Sequence, residues 1–220
     1  MIEKEFMGEK FFFNKTNTAQ QLVDEIFSDC YRVFQSLIQF EPGDVVIDLG
    51  ACEGMFSIMI AKIFPFVKVY SYEPVTRTYH QLLRNIGLNG TTNIMPRQLA
   101  VGKIAGKMTM YISKDFSGGS SSLITFNPEH HITEEVAVVT LEDIFNNEDI
   151  EKAKLLKIDI EGMEYEVLQY TELLDRVEYV TGEFHINRNL EYVGRRMDGL
   201  ANYLSTKTKL IGVEACRMAE

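Results

Sequence analysis

Short apolar runs of strand character recur along the chain, and four of them stop at an acidic residue. Val45-Val46-Ile47 ends at Asp48, and Val67-Lys68-Val69-Tyr70-Ser71-Tyr72 ends at Glu73. Leu155-Leu156-Lys157-Ile158 ends at Asp159, and Tyr179-Val180-Thr181-Gly182 ends at Glu183. Between these runs, apolar positions fall at helical spacing. The alternation predicts strands at 44–49, 67–72, 93–100, 154–160, 177–184 and 208–214, with helices at 54–64, 75–89, 163–174 and 189–204. Asn89-Gly90 is a natural stop for the second of these helices. Such a pattern argues for a doubly wound, mostly parallel α/β sheet with helices on both faces. In an open sheet of this kind, ligands lie beyond the carboxyl ends of the strands, near the point where strand order reverses. Four acids gathered at that rim form a cluster that solvation alone does not explain.

Leu22, Ile26, Phe27, Cys30, Val33, Phe34 and Leu37 also recur at helical spacing, so 18–40 reads as one amphipathic helix. Thr18 with Gln21 makes a capping box, and Pro42-Gly43 ends the segment. The division is then an N-terminal helical extension over 1–43 and an α/β domain over 44–220. Between 101 and 139 the alternation pauses. The period-2 stretch 107–113, the Gly/Ser loop 117–122 and a partner strand at 135–139 read as a β-hairpin insertion. Thr140 and Asp143 cap a short helix through Phe145. His130-His131 and the Gly/Ser loop read as exposed loop, or as a lid shaping an acceptor pocket. Phe11-Phe12-Phe13 is expected to pack on the domain or cover the site; left exposed, it would be a homodimer contact.

The chain has 220 residues, 45% of them apolar and 25% charged, which suits one large globular domain. Its net charge of -10 offers no general attraction to phosphate backbones and argues against a nucleic-acid partner. Three scattered cysteines, Cys30, Cys52 and Cys216, show no zinc spacing and exclude a full disulfide framework. The charged start lacks the apolar core of a signal peptide, and the stretch 55–70 is broken by Lys62, Pro65 and Lys68. A reduced, cytoplasmic protein with no membrane association is expected.

Gly50 and Gly54 flank the turn that follows the first acid-terminated strand. Glycine there lets a ligand approach the backbone, and the next helix points its free amides at the turn. The spacing is GxxxG, with Cys52 where a dinucleotide fingerprint has its middle glycine. Glu73 ends the following strand, where an acid accepts hydrogen bonds from both hydroxyls of a ribose. Asp48 and Asp159 would repel a pyrophosphate but not an ammonium or a sulfonium. The charge pattern therefore favours S-adenosylmethionine (SAM) over NAD, and an oxidoreductase is disfavoured.

Val46-Ile47-Asp48-Leu49-Gly50-Ala51-Cys52-Glu53-Gly54-Met55-Phe56-Ser57 resembles the first SAM-binding motif of class I methyltransferases, in the form seen in the FkbM family. Tyr72-Glu73-Pro74 is similar to that family's second motif, and Leu156-Lys157-Ile158-Asp159-Ile160-Glu161-Gly162-Met163-Glu164 to its most specific signature. The resemblance runs from about Asp44 to Glu183, and it departs at Cys52, where the family more often has asparagine. It implies a Rossmann-like, seven-stranded, mostly parallel sheet and a SAM-dependent methyltransferase domain over 44–220. By position, Asp48, Gly50, Ala51, Glu53 and Gly54 would surround the methionine part of SAM, with Phe56 and Ser57 on the helix behind. Glu73 would hold the ribose, and Pro74, Leu99 and Ala100 would lie near the adenine. Asp159 would sit below the methionine amino group.

Methyl transfer from a sulfonium needs alignment, exclusion of water and, for a hydroxyl acceptor, removal of a proton. Near the rim the catalytic candidates are His185, Glu161, Glu183 and Glu164, with His185 the expected base because its ordinary pKa lies nearest working pH. No spacing requires a metal, although Asp159, Glu161 and Glu183 offer oxygens of the kind Mg²⁺ prefers. The leading reading is O-methylation of a hydroxyl on a sugar or other small molecule. Alternatives are a tRNA base methyltransferase, to whose archaeal guanine-modifying members Phe56–Asn89 also bears likeness, and a non-catalytic SAM-binding module.

Overall fold

The computed structural model describes residues 1–28, 37–114, 120–121, 127–186, 191, 194 and 196–217. The chain opens with a hairpin, β1 (Ile2–Phe6) and β2 (Glu9–Phe13), followed by helix α1 (Ala19–Ile26). Then come β3 (Val45–Leu49), α2 (Met55–Ile63), β4 (Lys68–Tyr72), α3 (Thr76–Asn89) and β5 (Ile94–Arg97). An insertion contributes β6 (Ala100–Val101), β7 (Gly106–Ser113), β8 (Ser120–Ser121) and β9 (His131–Val139). The chain continues with α4 (Leu141–Asn147), β10 (Ala153–Ile158), α5 (Glu164–Leu168), β11 (Val177–Ile186), α6 (Met197–Ser205) and β12 (Lys209–Arg217).

The central sheet has the order β12-β11-β10-β3-β4-β5, and every pair in it is parallel. From β3 the chain winds outward through β4 and β5, then returns to the other side of β3 through β10, β11 and β12. The reversal lies between β3 and β10, so their carboxyl ends open the crevice where ligands bind in such sheets. Alternate residues of these strands serve opposite faces. Val46, Val69 and Leu155 join the core under α2, while Ile47, Tyr70 and Leu156 join the core on the far side. Both faces are covered, so the strands read as nearly continuous apolar runs.

The described sheet has six strands where seven are expected. The expected strand 93–100 divides. β5 stays at the edge of the central sheet, and β6 leaves to pair with β9 in a second sheet of order β6-β9-β7-β8. The expected hairpin insertion is β7 against β9, antiparallel from Gly106–Val138 to Ser113–His131, so its second strand begins earlier than expected. His131 starts that strand and His130 lies exposed in the turn before it. Most of the Gly/Ser loop falls outside the described residues.

The first 13 residues correct the expected helical extension. Met7 and Gly8 both adopt positive φ, 55° and 83°, the backbone of a two-residue hairpin turn. Phe11 and Phe13, on one face of β2, are fully buried against Phe27 at ring distances of 4.8 and 5.8 Å. These two rings pack inward on the domain. Asn89 of α3 acts as a partner strand would: its Oδ1 accepts from Phe12 N at 3.0 Å and its Nδ2 donates to Phe12 O at 2.7 Å. Helix α1 ends near Phe27, and 29–36 of the expected 18–40 helix falls outside the described residues. Thr18 makes no side-chain cap; Thr16 Oγ1 instead accepts from Ala19 N at 3.0 Å. Covered by the sheet on one side and this N-terminal unit on the other, α2 is buried from Met55 to Ala61.

Two expectations hold closely, one holds in part and one shortens. Helix α3 stops at Gly90, and Thr140 with Asp143 forms a complete capping box on α4. Of the rim acids, Glu73 and Asp159 directly follow β4 and β10, whereas Asp48 lies within β3 and Glu183 within β11, which runs on to Ile186. The helix predicted at 163–174 is α5 alone, followed by a 3₁₀ turn at Leu173–Arg176, where Thr171 Oγ1 accepts from Leu173 N.

Candidate functional site

The turn after β3 is clamped to its neighbours. Gly50 N and Ala51 N both donate to Tyr72 O, at 3.0 and 2.9 Å, and Asp159 N donates to Leu49 O at 3.1 Å. Gly50 has φ 77°, and a Cβ there would collide with the Asp159 carbonyl oxygen. Glycine at this position lets the ends of β3 and β10 close on each other.

Strand register sets the charges beneath the turn. Asp48 stands opposite Ser71 on one side and Lys157 on the other. Its side chain is fully buried. Ser57 Oγ donates to Asp48 Oδ2 at 2.6 Å, which leaves Ser71 to donate to Ser57, also at 2.6 Å. Lys157 Nζ lies 3.5 Å from Asp48 Oδ1, donates to Gly50 O at 2.8 Å, and reaches Asp159 Oδ2 at 3.4 Å. Burial pushes the Asp48 carboxyl above its ordinary range, and Lys157 and Ser57 pull against that rise. Lys157 is absent from the residues expected at the site. Its signal was available: a lysine inside an apolar strand requires an acid on a neighbouring one.

Above the turn opens a cleft of about 740 Å³, part of it open to solvent. Its polar lining is Gly50, Cys52, Glu73, Asp159 and Glu161. Its apolar lining includes Leu99, Val101, Met108, Met110 and Met163, together with Leu22 of α1. Glu73 is 7% exposed. Its Oε2 accepts from Cys52 N at 3.0 Å and its Oε1 from Val75 N at 2.9 Å. Burial raises the Glu73 carboxyl to about 7 against the pull of those two amides. Burial likewise pushes the Cys52 thiol up, with Glu73 and Glu53 adding to the rise, so it stays neutral. Cys52 and Glu161 both hold left-handed backbone, φ 50° and 55°, and both line the cleft.

At the cleft's edge a carboxylate ring surrounds His185. Nδ1 lies 3.1 Å from Glu164 Oε1 and 4.0 Å from Asp159 Oδ1, and Nε2 lies 3.6 Å from both Glu161 Oε2 and Glu183 Oε2. Glu164 is itself fixed, accepting from Ile160 N at 3.0 Å and from Gly162 N. Burial opposes charge on His185, but the hydrogen bond to Glu164 and the charges of Glu164, Glu161 and Asp159 outweigh it and raise its pKa to about 9. At neutral pH His185 is therefore a donor held among acids, where the sequence suggested a free base. Burial, opposed by His185 and reinforced by Asp159, Glu164 and Glu183, lifts Glu161 to about 8. Glu25 of α1 reaches the same ring; burial and then the charges of Glu183 and Asp159 raise it to about 7.

Of the expected cofactor residues, Gly50, Glu73, Pro74, Leu99, Ala100 and Asp159 line the cleft. Asp48 and Ser57 support it from below, and Ala51, Gly54 and Phe56 lie within the buried turn and helix behind. Glu53 points elsewhere: its carboxylate accepts from Thr16 Oγ1 at 2.8 Å and Thr18 Oγ1 at 3.3 Å, tying the N-terminal unit to the turn. Glu161, Glu183 and His185 come together as one cluster. Missed were Lys157, Glu25 and the methionines of β7, whose place in the cleft depends on where the insertion folds back.

Residues of this cleft could hold SAM: the buried Glu73 carboxylate could accept from ribose hydroxyls, Leu99 and Met110 could face adenine, and Asp159 could pair with the amino group. Among curated proteins, the 31-O-demethyl-FK506 methyltransferase FkbM of Streptomyces tacrolimicus is 30% identical over 197 residues, covering 76% of this chain and 75% of that one. Methyltransferase 1 of Beauveria bassiana is 25% identical, covering 70% of this chain and 69% of that one. Among solved structures, Trm5b of Pyrococcus abyssi aligns at 16% identity and a TM-score of 0.41 over 92% of this chain. The chain spans 47% of that protein's length. The family model of the methyltransferase FkbM domain matches residues 48–204. With that match over most of the chain, the protein belongs to the FkbM family of SAM-dependent methyltransferases.

Proposed function

We propose that this enzyme methylates a hydroxyl of a small molecule. The observation that carries the reading is the continuity of one cleft, from Glu73 past Gly50 and Asp159 to Glu161 and the carboxylate ring. SAM would supply a methyl group already activated on a sulfonium. Glu73, Asp159 and the Gly50 turn would hold the donor, with the methyl directed toward Glu161. With SAM bound, the acceptor oxygen would form its bond to the methyl carbon as the C–S bond breaks, the electron pair going to sulfur. The acceptor's proton leaves to Glu161, which lines the cleft and acts in its ionised form, a form that becomes dominant above a pH of about 8. His185 holds Glu161, Glu183 and Glu164 in their places, and α1 with Leu22 excludes water from one end. The relative that carries 31-O-demethyl-FK506 in its name supports an oxygen acceptor on a small molecule.

Transfer of label from methyl-tritiated SAM tests this, with hydroxylated small molecules set against bulk tRNA as acceptors. Label in an alkali-stable ether on a small molecule is expected. Label only in tRNA, or none despite SAM binding, contradicts the proposal.

A further inference from the structure

Three ligand-type atoms converge at the acceptor side of the cleft. A carboxylate oxygen of Asp159, one of Glu164 and a ring nitrogen of His185 all lie within 4.8 Å of one another. Nδ1 stands 3.1 Å from Glu164 and 4.0 Å from Asp159. Neighbouring ligands on an octahedral divalent ion stand roughly 3 Å apart, and opposite ones roughly 4 Å. Small side-chain shifts would suffice to close these atoms on one centre.

The surroundings match those of a metal site in two further respects. A ligating histidine commonly donates its other ring nitrogen to a carboxylate, which fixes the ring and its tautomer. Here Nε2 faces Glu161 and Glu183, both at 3.6 Å. Ligating carboxylates are in turn held by hydrogen bonds, and Glu164 is held by Ile160 N and Gly162 N. Burial is graded as well. The side chains of Glu164 and His185 are 2% and 9% exposed, while Asp159 is 27% exposed and lines the cleft. Three protein ligands with positions left open toward a cleft are the pattern of a catalytic centre; structural sites are closed.

We propose that Asp159, Glu164 and His185 bind a divalent cation of the manganese–magnesium class, the ion taking the place of the hydrogen between His185 Nδ1 and Glu164. Two hard oxygens and one imidazole suit Mn²⁺, which accepts nitrogen more readily than Mg²⁺ does. The ligand set differs from the Asp159, Glu161 and Glu183 oxygens that the sequence suggested, because Glu161 and Glu183 lie on the other side of the ring. An ion here would hold the acceptor oxygen against the methyl group. That role rests on the methyl-transfer reading above; binding of the ion does not.

The full chain, stripped with EDTA, is titrated with Mn²⁺, and the bound ion is examined by pulsed electron paramagnetic resonance. One Mn²⁺ per chain is expected, with a ¹⁴N coupling from a directly bound imidazole. His185→Gln should remove the coupling and weaken binding by about tenfold or more. Asp159→Asn should weaken binding while keeping the coupling. No uptake at millimolar Mn²⁺, or uptake without nitrogen coupling in the unaltered protein, overturns the proposal whatever the variants do. SAM binding is measured in parallel. SAM without Mn²⁺ removes the ion site alone; Mn²⁺ without SAM leaves the ion site standing and removes the methyl-donor reading.

Discussion

Lys157 stands opposite Asp48 across the β3–β10 register, and its ammonium is 3.5 Å from Asp48 Oδ1, a buried oxygen with no hydrogen-bond partner among the described residues. The same ammonium holds the carbonyl of Gly50, so one cation supports both the buried acid and the turn above it. The pair links the floor of the sheet to the shape of the cofactor cleft.

Lys157→Met should expose that dependence. Removing one partner of a buried pair costs about 3–5 kcal/mol, because the remaining charge is uncompensated. Asp48→Asn in the same chain should restore part of the loss. Urea unfolding of the single and double variants measures both, and equal stability of Lys157→Met and the unaltered protein would refute the pairing.

Glu73 predicts a pH dependence of cofactor affinity. Its folded-state pKa is raised to about 7, so its own contribution to apo stability is complete below the ordinary carboxylate range and is lost as pH rises through about 7. Ribose hydroxyls donate best to the ionised form, so SAM affinity should run the other way and strengthen from pH 6 to 8. Glu73→Gln should flatten this profile and weaken SAM by roughly tenfold to a hundredfold, the scale of a hydrogen bond to a charged group. Calorimetry at the two pH values is the check.

Asn89 ties the N-terminal hairpin to α3 through both atoms of its amide. Asn89→Ala should destabilise the fold by about 1–3 kcal/mol, since it strands the Phe12 backbone groups. Hydrogen exchange should show β1 and β2 losing protection before the central sheet. Unchanged protection of the hairpin would mean that burial of Phe11 and Phe13 alone secures it.

Glu161 lines the cleft at the edge of the carboxylate ring, where the acceptor's proton is released in the proposed reaction. Glu161→Gln should leave SAM affinity within about twofold and lower turnover by at least about a hundredfold, the scale of general base catalysis. Stopped turnover with unchanged SAM binding supports that assignment; unaltered kcat removes it.

The parallel sheet and the site's rim were legible because strands covered on both faces are continuous apolar runs, four of which carry an acid at or near their carboxyl end. Glu73, Gly50 and Asp159 could be placed from that rule together with the family motifs. The opening hairpin was not legible. Three consecutive phenylalanines hide the period-2 alternation that separates Phe11 and Phe13 from Phe12, and the turn at Met7-Gly8 lacks the usual Asn-Gly signal. The division of 93–100 was also hidden, since β6 departs only because β9 offers it a partner far along the chain. Lys157 and Glu164 were present in the motif, but their roles depend on register and on a loop turning back toward its own helix. The state of His185 depends on three acids of the 159–164 segment meeting Glu183 and His185 of β11, which no local pattern reveals.

A crystal structure with S-adenosylhomocysteine tests the central claim most directly. The account predicts density in the cleft at the β3–β10 reversal, with both ribose hydroxyls on Glu73, adenine against Leu99 and Met110, and sulfur facing Glu161. Density in another cleft, or a ribose held away from Glu73, would contradict it.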